Sequence, residues 1–214
     1  MSENGGPPAT DEATLRTLGH YGANAESFWV GTRDHDVTQN YAALLDALGG
    51  TAPLRLLDFG CGPGRDLVAL GARGHVVTGL DGTAKFVEMA RELSGSTVLH
   101  QNFLELDLGE QRFDGVFANA SLFHVPRAHM ARVLGELFAA LVPGGVLFCS
   151  NPRSFESDRE GFNGERYGSY LTIESWLACI VAAGFTIERH FLRPAGLPPS
   201  EQPWLAVVAR RPLG

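Results

Sequence analysis

A doubly wound α/β fold, built on a mostly parallel seven-stranded sheet with an antiparallel last strand, is predicted by three observations. Strand-length apolar runs alternate with stretches whose apolar residues recur at helical spacing. One of those runs, ending at Asp58, breaks into glycines at alternate positions, Gly60, Gly62 and Gly64, and a helical pattern follows at once. The residues at the strand ends are polar: Asp58, Asp81, Asn102, Asn119 and Asn151. In such sheets the ligand site lies beyond the carboxyl ends of the strands, where strand order reverses.

Residues 1–12, rich in Gly, Pro and small polar types, are expected to be disordered, and 13–214 to form one domain. Residues 14–36 read as a short helix and a loop, anchored by Leu15, Leu18, Tyr21, Phe28 and Trp29. Tyr41, Leu44, Leu45 and Leu48 make a helical stripe over 38–48, closed by Gly49-Gly50. A buried strand over 54–59 leads to a helix at 65–73, stopped by Gly74. A second strand, 75–80, ends at Asp81-Gly82, and a helix covers 83–93. Strands at 97–101 and 113–118 precede a helix over 127–140, and the turn 142–145 opens a fifth strand at 146–150. A helix near 172–182, a sixth strand at 185–192, the Pro-rich loop 194–203 and a last strand at 204–209 complete the pattern. The last two strands lack an intervening helix and so can pair antiparallel.

The formal net charge of −7 argues against a general nucleic-acid surface, which needs clustered Lys and Arg. No run approaches the roughly 20 apolar residues of a membrane span. The first residues lack the basic-then-apolar order of a secretory signal. Cys61, Cys149 and Cys179 sit in apolar or glycine-turn contexts without metal-ligand spacing, as buried thiols of a reducing cytoplasm do. A cytoplasmic protein with a small-molecule substrate, and without a nucleic-acid, membrane or metal partner, is expected.

The glycine spacing is D-x-G-x-G-x-G, not the G-x-G-x-x-G that wraps a pyrophosphate. It resembles the first motif of class I S-adenosylmethionine-dependent methyltransferases. Residues 113–124 and the turn 142–147 resemble later motifs of that family, so the resemblance covers most of 54–150. It implies a Rossmann-like fold, S-adenosylmethionine as cofactor and S-adenosylhomocysteine as its product. This cofactor has no phosphate but carries an ammonium, which Asp58 helps hold. Asp81, about twenty residues past the glycines, accepts from the ribose hydroxyls. Gly82 and Phe86 border the adenine, or Phe86 packs into the core from its helix. Asn102 stands where the family usually has Asp; its amide oxygen can still accept from the adenine amine, with Phe103 alongside. Tyr21, Phe28, Arg33, Gly60, Cys61, Gly62 and Asn119 are assigned to the cofactor as well.

Three segments are dense in polar residues: 31–40, then 150–153 with 161–170, then 193–204. With 117–126 (Phe-Ala-Asn-Ala-Ser-Leu-Phe-His-Val-Pro) they resemble the methyltransferase module of ovothiol biosynthesis, over nearly all of 21–209. That resemblance implies N-methylation of the imidazole of 5-thiohistidine to give ovothiol A. On that resemblance a free-standing form is expected, with the pathway's iron-dependent sulfoxide synthase expected as a separate partner. An amino-acid substrate needs a cation for its carboxylate, from Arg153 or Arg166, and an acceptor for its ammonium, from Asp34, Asp36 or Glu165. Arg33, His35, Phe123 and Tyr170 join the substrate wall. Asn119, His124, Asn151 and Tyr167 hold the ring by hydrogen bonds, or His124 relays a proton. The rival readings are a methyltransferase for another small molecule and a non-catalytic module that binds the cofactor.

Overall fold

The computed structural model describes residues 10–213. Three helices, α1 (Thr10–Ala23), α2 (Ala25–Thr32) and α3 (Thr38–Leu48), come first. Strands and helices then alternate: β1 (Arg55–Phe59), α4 (Arg65–Gly71), β2 (Val76–Asp81), α5 (Ala84–Ser94), β3 (Val98–His100), β4 (Phe113–Asn119), α6 (Arg127–Ala140) and β5 (Leu141–Pro152). A hairpin of β6 (Arg159–Asn163) and β7 (Arg166–Tyr170) intervenes before α7 (Ile173–Ala182), β8 (Thr186–Arg193) and β9 (Trp204–Arg210).

Seven strands form one sheet in the order β3-β2-β1-β4-β5-β9-β8. Strands β1 to β5 pair in parallel, and β9 lies antiparallel between β5 and β8. This is the doubly wound sheet that the alternation predicts. Successive strand residues point to opposite faces, and here both faces are covered. Leu57, Phe59, Val116 and Leu147 join the core that includes Leu134 and Leu137 of α6 and Trp176 and Ile180 of α7. Leu56, Phe117, Val146 and Phe148 pack with Leu44 of α3 and Leu67 and Leu70 of α4. Two-sided burial explains why these strands read as unbroken apolar runs. Each buried side chain contributes about 1.5–3 kcal/mol, so the central strands make a rigid platform. Strand order reverses between β1 and β4, and the loops after these strands meet there.

Three expectations need correction. Of the twelve residues expected to be disordered, 1–9 lie outside the described residues and 10–12 begin α1. Residues 14–36 hold two helices rather than one short helix and a loop. Helix α1 covers a cavity rather than the core, so it lacks a strong apolar stripe; Leu15 on it is two-thirds exposed, at 66%. Residues 161–170, read from the sequence only as a polar segment with no strand assigned, belong to a hairpin. Its two-residue turn puts Gly164 at φ 63° and Glu165 second, the arrangement that demands glycine first. The hairpin hides from an alternation test because most of its β6 side chains are exposed on both faces.

Candidate active site

The loop after β1 is shaped by backbone hydrogen bonds. The N–H groups of Gly60 and Cys61 both donate to Leu80 O, at 2.8 and 3.0 Å. Asp81 joins the turns after β1 and β2: its Oδ2 accepts from Gly62 N at 3.0 Å and its Oδ1 from Thr83 N at 2.8 Å. Burial pushes the Asp81 carboxyl up, and those two N–H bonds oppose the shift. Two glycines are required by their surroundings. Gly60 has φ 79°, and a Cβ there would come within 2.4 Å of Ser121 Cβ. Gly64 has φ 100°, and a Cβ would lie 2.9 Å from Ala90 Cα, so this glycine lets α4 pack against α5.

Two cavities flank this loop. The first is walled by Thr17, Leu18 and Tyr21 of α1, by Asp81, Gly82 and Phe86, and by Asn102, Phe103 and His124. Its character is aromatic: Phe28 and Phe86 rings lie 5.1 Å apart, Tyr21 packs edge-on to Phe28 at 5.4 Å, and Phe103 stacks on Phe59 at 4.2 Å. Asn102 Oδ1 accepts from Leu104 N at 3.0 Å, which fixes the amide at the cavity wall. The second cavity, of about 470 Å³, carries the charged and polar side chains Arg65, Asp66, Asn119, Arg193, His35 and Asp36 on a wall that also includes Cys61, Trp29 and Trp204. Phe28, Gly60, Gly62 and Ala120 border both. Ala120, at φ 59°, holds a left-handed conformation that non-glycine residues rarely adopt, at the point where β4 ends between the two cavities.

Two buried polar atoms next to the glycine loop lack a hydrogen-bond partner among the described residues, Asp58 Oδ2 and Ser121 Oγ; Ser121 lines the first cavity, whereas Asp58 lines neither. Removal from water pushes the Asp58 carboxyl well up, with Asp66 and Asp81 adding to the effect and Arg65 opposing it. A buried, unpartnered carboxylate oxygen is costly until a cation or donor reaches it.

A chain of hydrogen bonds runs beneath the second cavity. Arg193 Nη1 donates to Asn40 Oδ1 at 2.9 Å, Asn40 Nδ2 to Asn119 Oδ1 at 3.0 Å, and Asn119 Nδ2 to Asp66 Oδ2 at 3.5 Å. Asp66 is also the acceptor for a fork from Arg65, at 2.7 and 3.0 Å, and for the Tyr41 hydroxyl at 2.5 Å. Tyr41, Arg65 and Asp66 are absent from the residues that sequence reasoning selected, while Asn40 and Arg193 fall inside the polar segments 31–40 and 193–204 without a role assigned to them. Tyr41 reads as part of a helical apolar stripe and Asp66 as an ordinary helix residue.

On the first cavity, His124 is fixed on both nitrogens. Its Nδ1 lies 2.7 Å from Tyr167 O, a pure acceptor, so Nδ1 carries the proton and Nε2, 2.9 Å from Tyr21 Oη, accepts from the hydroxyl. Loss of hydration pushes the imidazole down to about 4, which keeps it neutral; the Tyr167 carbonyl bond opposes the shift and nearby Arg166 adds to it.

Several expected site residues stand elsewhere. Arg33 pairs with Asp34 at 3.3 Å on the surface, and neither lines a cavity. Arg153 instead clamps the loop before β9: its Nε donates to Gln202 O at 2.9 Å, its Nη2 to Pro199 O, and its guanidinium lies 4.0 Å over Phe155. Glu165 forms a two-bond ion pair with Arg16, at 2.6 and 2.8 Å. Asn151 is buried and accepts from Phe123 N at 3.1 Å, anchoring the single helical turn 122–124. Tyr167 reaches the site only through its main-chain carbonyl; its ring packs edge-on against Phe162. Phe123 backs the His124 ring at 4.0 Å, Tyr170 lies behind Phe123 under Arg159, and Arg166 stands at the Tyr21 hydroxyl, but none of the three lines a cavity. Arg166 and Tyr170 are placed by the hairpin, which a linear reading cannot supply. His35 and Asp36 do line the second cavity, although Asp36 Oδ1 already accepts from Thr38 N at 2.9 Å.

The chain has counterparts among known proteins. Residues 56–145 match the methyltransferase-domain family. That methyltransferase-domain segment holds Asp58, the glycines, Asp81, Asn119 and His124. The chain is similar to a 1,6-didemethyltoxoflavin-N1-methyltransferase of Burkholderia thailandensis, whose crystal structure contains 1,6-didemethyltoxoflavin and S-adenosylhomocysteine. The identity is 25% and the TM-score 0.81, over 98% of this chain and 93% of that one. It is 38% identical over 113 residues to a trans-aconitate 2-methyltransferase of Rhodopseudomonas palustris, covering 49% of this chain and 41% of the relative. A ubiquinone biosynthesis O-methyltransferase of Cereibacter sphaeroides is 36% identical over 134 residues, 56% of this chain and 53% of the relative. The chain thus spans about half or less of these two curated relatives. Likeness to a [4+2]-cyclase, at 18% identity and a TM-score of 0.70, concerns the fold alone. Among the described residues no helix is long and apolar enough to cross a membrane.

Proposed function

We propose that this protein is an S-adenosylmethionine-dependent methyltransferase for a small molecule, and that its acceptor is an imidazole nitrogen of 5-thiohistidine, yielding ovothiol A. The observation that carries the first part is the meeting of two unlike cavities at Gly60, Gly62 and Ala120. The residues present fit the cofactor. A cradle at Gly60 that a Cβ would fill admits a close ligand, and the unpartnered Asp58 Oδ2 suits an ammonium. Asp81 stands ready for ribose hydroxyls, and Phe86, Phe103 and Asn102 for a heteroaromatic base. When bound, the cofactor supplies an electrophilic methyl on a sulfonium.

The chain's own work is then to orient and to dry. In-line transfer needs the acceptor lone pair aimed at the methyl, and fixed polar walls supply that alignment. Asn119, held by Asn40 and Asp66, presents an amide whose orientation is set. The neutral His124, with Tyr21 donating to it, fixes a polar edge of the first cavity, and the N–H proton that the methylated ring sheds passes to water. A nitrogen acceptor is supported by the likeness to a protein named as an N1-methyltransferase. The 5-thiohistidine assignment rests on the resemblance of the loops. The relatives named for trans-aconitate and for O-methylation favour a second reading, a carboxylate or hydroxyl acceptor.

The test is product analysis by mass spectrometry after incubation with deuteromethyl S-adenosylmethionine and 5-thiohistidine. Gain of one labelled methyl on an imidazole nitrogen is expected. Cofactor binding without transfer to 5-thiohistidine removes that substrate, and transfer to trans-aconitate instead installs the second reading.

A further inference from the structure

Of the two arginines that line the second cavity, one is spoken for. Arg65 is forked onto Asp66 and donates a third bond to Thr32 O at 2.9 Å. Arg193 is different. Its guanidinium meets only neutral amide oxygens: Nη1 reaches Asn40 Oδ1 at 2.9 Å, while the Gln39 amide oxygen, turned toward it, accepts from Nη2 and from Nε at 2.9 Å. Among the described residues no carboxylate forms an ion pair with it; Asp36 acts on it only at a distance. Burial pushes its guanidinium down, so the charge is partly desolvated without being neutralised. A planar guanidinium in that condition, on the wall of a cavity, is suited to a two-bond grip on a carboxylate.

Strand order says whose carboxylate. Arg193 ends β8, four strands from β1 and its glycine loop, and is paired across β9 with Trp204, which is paired in turn with Pro152. Its side chain comes back over the sheet as far as Asn40, which touches Asn119 at the end of β4. The charge therefore sits on the far side of Asn119 from Gly60 and Gly62, where the acceptor lies if the methyl donor occupies the glycine loop.

Resting on that assignment of donor and acceptor, we propose that Arg193 is the specificity-determining cation of this site, and that it selects small acceptors carrying a carboxylate. Arg153 and Arg166 do not fill this role, since the first clamps a loop and the second stands at Tyr21. Gln39 and Asn40 orient the guanidinium without neutralising it.

The test uses the full chain and a panel of imidazole acceptors in matched pairs with and without the carboxylate: 5-thiohistidine and its decarboxylated amine, histidine and histamine. Turnover is followed by mass spectrometry, and affinity for S-adenosylhomocysteine by calorimetry. The wild-type protein should prefer the acid of each pair that it uses. Arg193→Gln should raise the KM for the acid by about tenfold to a hundredfold, erase the preference, and leave S-adenosylhomocysteine affinity within about twofold. Gln39→Glu is the second variant. It keeps every side-chain shape and gives the guanidinium an internal carboxylate, so it should raise the same KM with the fold undisturbed. Equal use of acid and amine by the wild type overturns the proposal. So does a tenfold loss of S-adenosylhomocysteine affinity in Arg193→Gln with the acceptor KM unchanged, which would give the guanidinium to the donor's own carboxylate. Methyl transfer to no member of the panel, with S-adenosylhomocysteine still bound, overturns the imidazole methyltransferase reading itself and the arginine assignment with it.

Discussion

The Tyr21 hydroxyl donates to His124 Nε2 at 2.9 Å, joining the first helix of the chain to the turn that follows β4. The bond requires a neutral imidazole, because a protonated ring has no lone pair to accept it. His124 in the folded protein titrates near 4, below the ordinary histidine value of 6.5. A group depressed in this way adds stability that is complete above the unfolded value and is lost as pH falls toward the folded one. Between about pH 6.5 and 4 the wild type should therefore lose about 2–3 kcal/mol from this residue. His124→Asn, which keeps a donor for Tyr167 O and cannot titrate, should show a shallower acid limb. Melting curves of both proteins from pH 7.5 to 4.5 check this, and parallel curves contradict it.

Asp58 opposes stability in the ligand-free protein. Its folded value is raised above that of an exposed carboxyl, so its contribution falls as pH rises through the ordinary carboxylate range and stays unfavourable at neutrality. Asp58→Asn should accordingly raise the melting temperature of the ligand-free protein and weaken S-adenosylmethionine binding by about 1.5–3 kcal/mol. Calorimetry beside thermal melts tests both signs. An unchanged affinity in the folded variant removes Asp58 from the cofactor site.

Gly60 and Gly62 should respond unequally to alanine. At Gly60 the added carbon meets Ser121 Cβ at 2.4 Å, whereas at Gly62 the nearest atom is Phe28 Cε1 at 3.8 Å. Both positions have positive φ, so each variant carries about 1 kcal/mol or more of backbone strain, and only Gly60→Ala adds a clash. Urea denaturation should rank Gly60→Ala as the less stable, and a reversed order would be inconsistent with this packing.

Arg153→Ala should behave as a folding variant. It removes bonds to Gln202 O and Pro199 O and the contact with Phe155, at a cost of about 1–3 kcal/mol. Acceptor KM in the folded fraction should stay within about twofold of wild type. A selective tenfold rise in KM without loss of stability would return Arg153 to the substrate wall.

The sheet was legible because its central strands are buried on both faces, so apolar runs mark them; the boundaries were less so, since the expected turn 142–145 lies within β5 and the edge strand β8 is exposed or half-buried throughout. The wall residues Asp81 and Asn102 of the first cavity were legible for the same reason, since both directly follow such runs. The second cavity was not. Its arginine comes from β8 at the edge of the sheet, and its floor joins Asn40, Asp66 and Asn119 across long stretches of chain. Loop polarity alone could not separate Arg193 from Arg153, because both follow apolar strands and differ only in what each guanidinium meets. The hairpin was missed although Asn163-Gly164 is a turn signal, because its strands lack an apolar face to announce them.

Helix α1 is latched to that hairpin by the Arg16–Glu165 ion pair, by Thr17 Oγ1 accepting from Tyr167 N at 2.9 Å, and by Arg16 lying 4.3 Å over Phe162. The same helix supplies Thr17, Leu18 and Tyr21 to the first cavity. The first cavity is thus roofed by helix α1, which is itself held by the hairpin. On the proposed placement of the cofactor's nucleoside in this cavity, its occupancy and the docking of that roof should form a single equilibrium. Ligand should slow amide exchange in α1 and in the hairpin together, leaving the central strands unaffected.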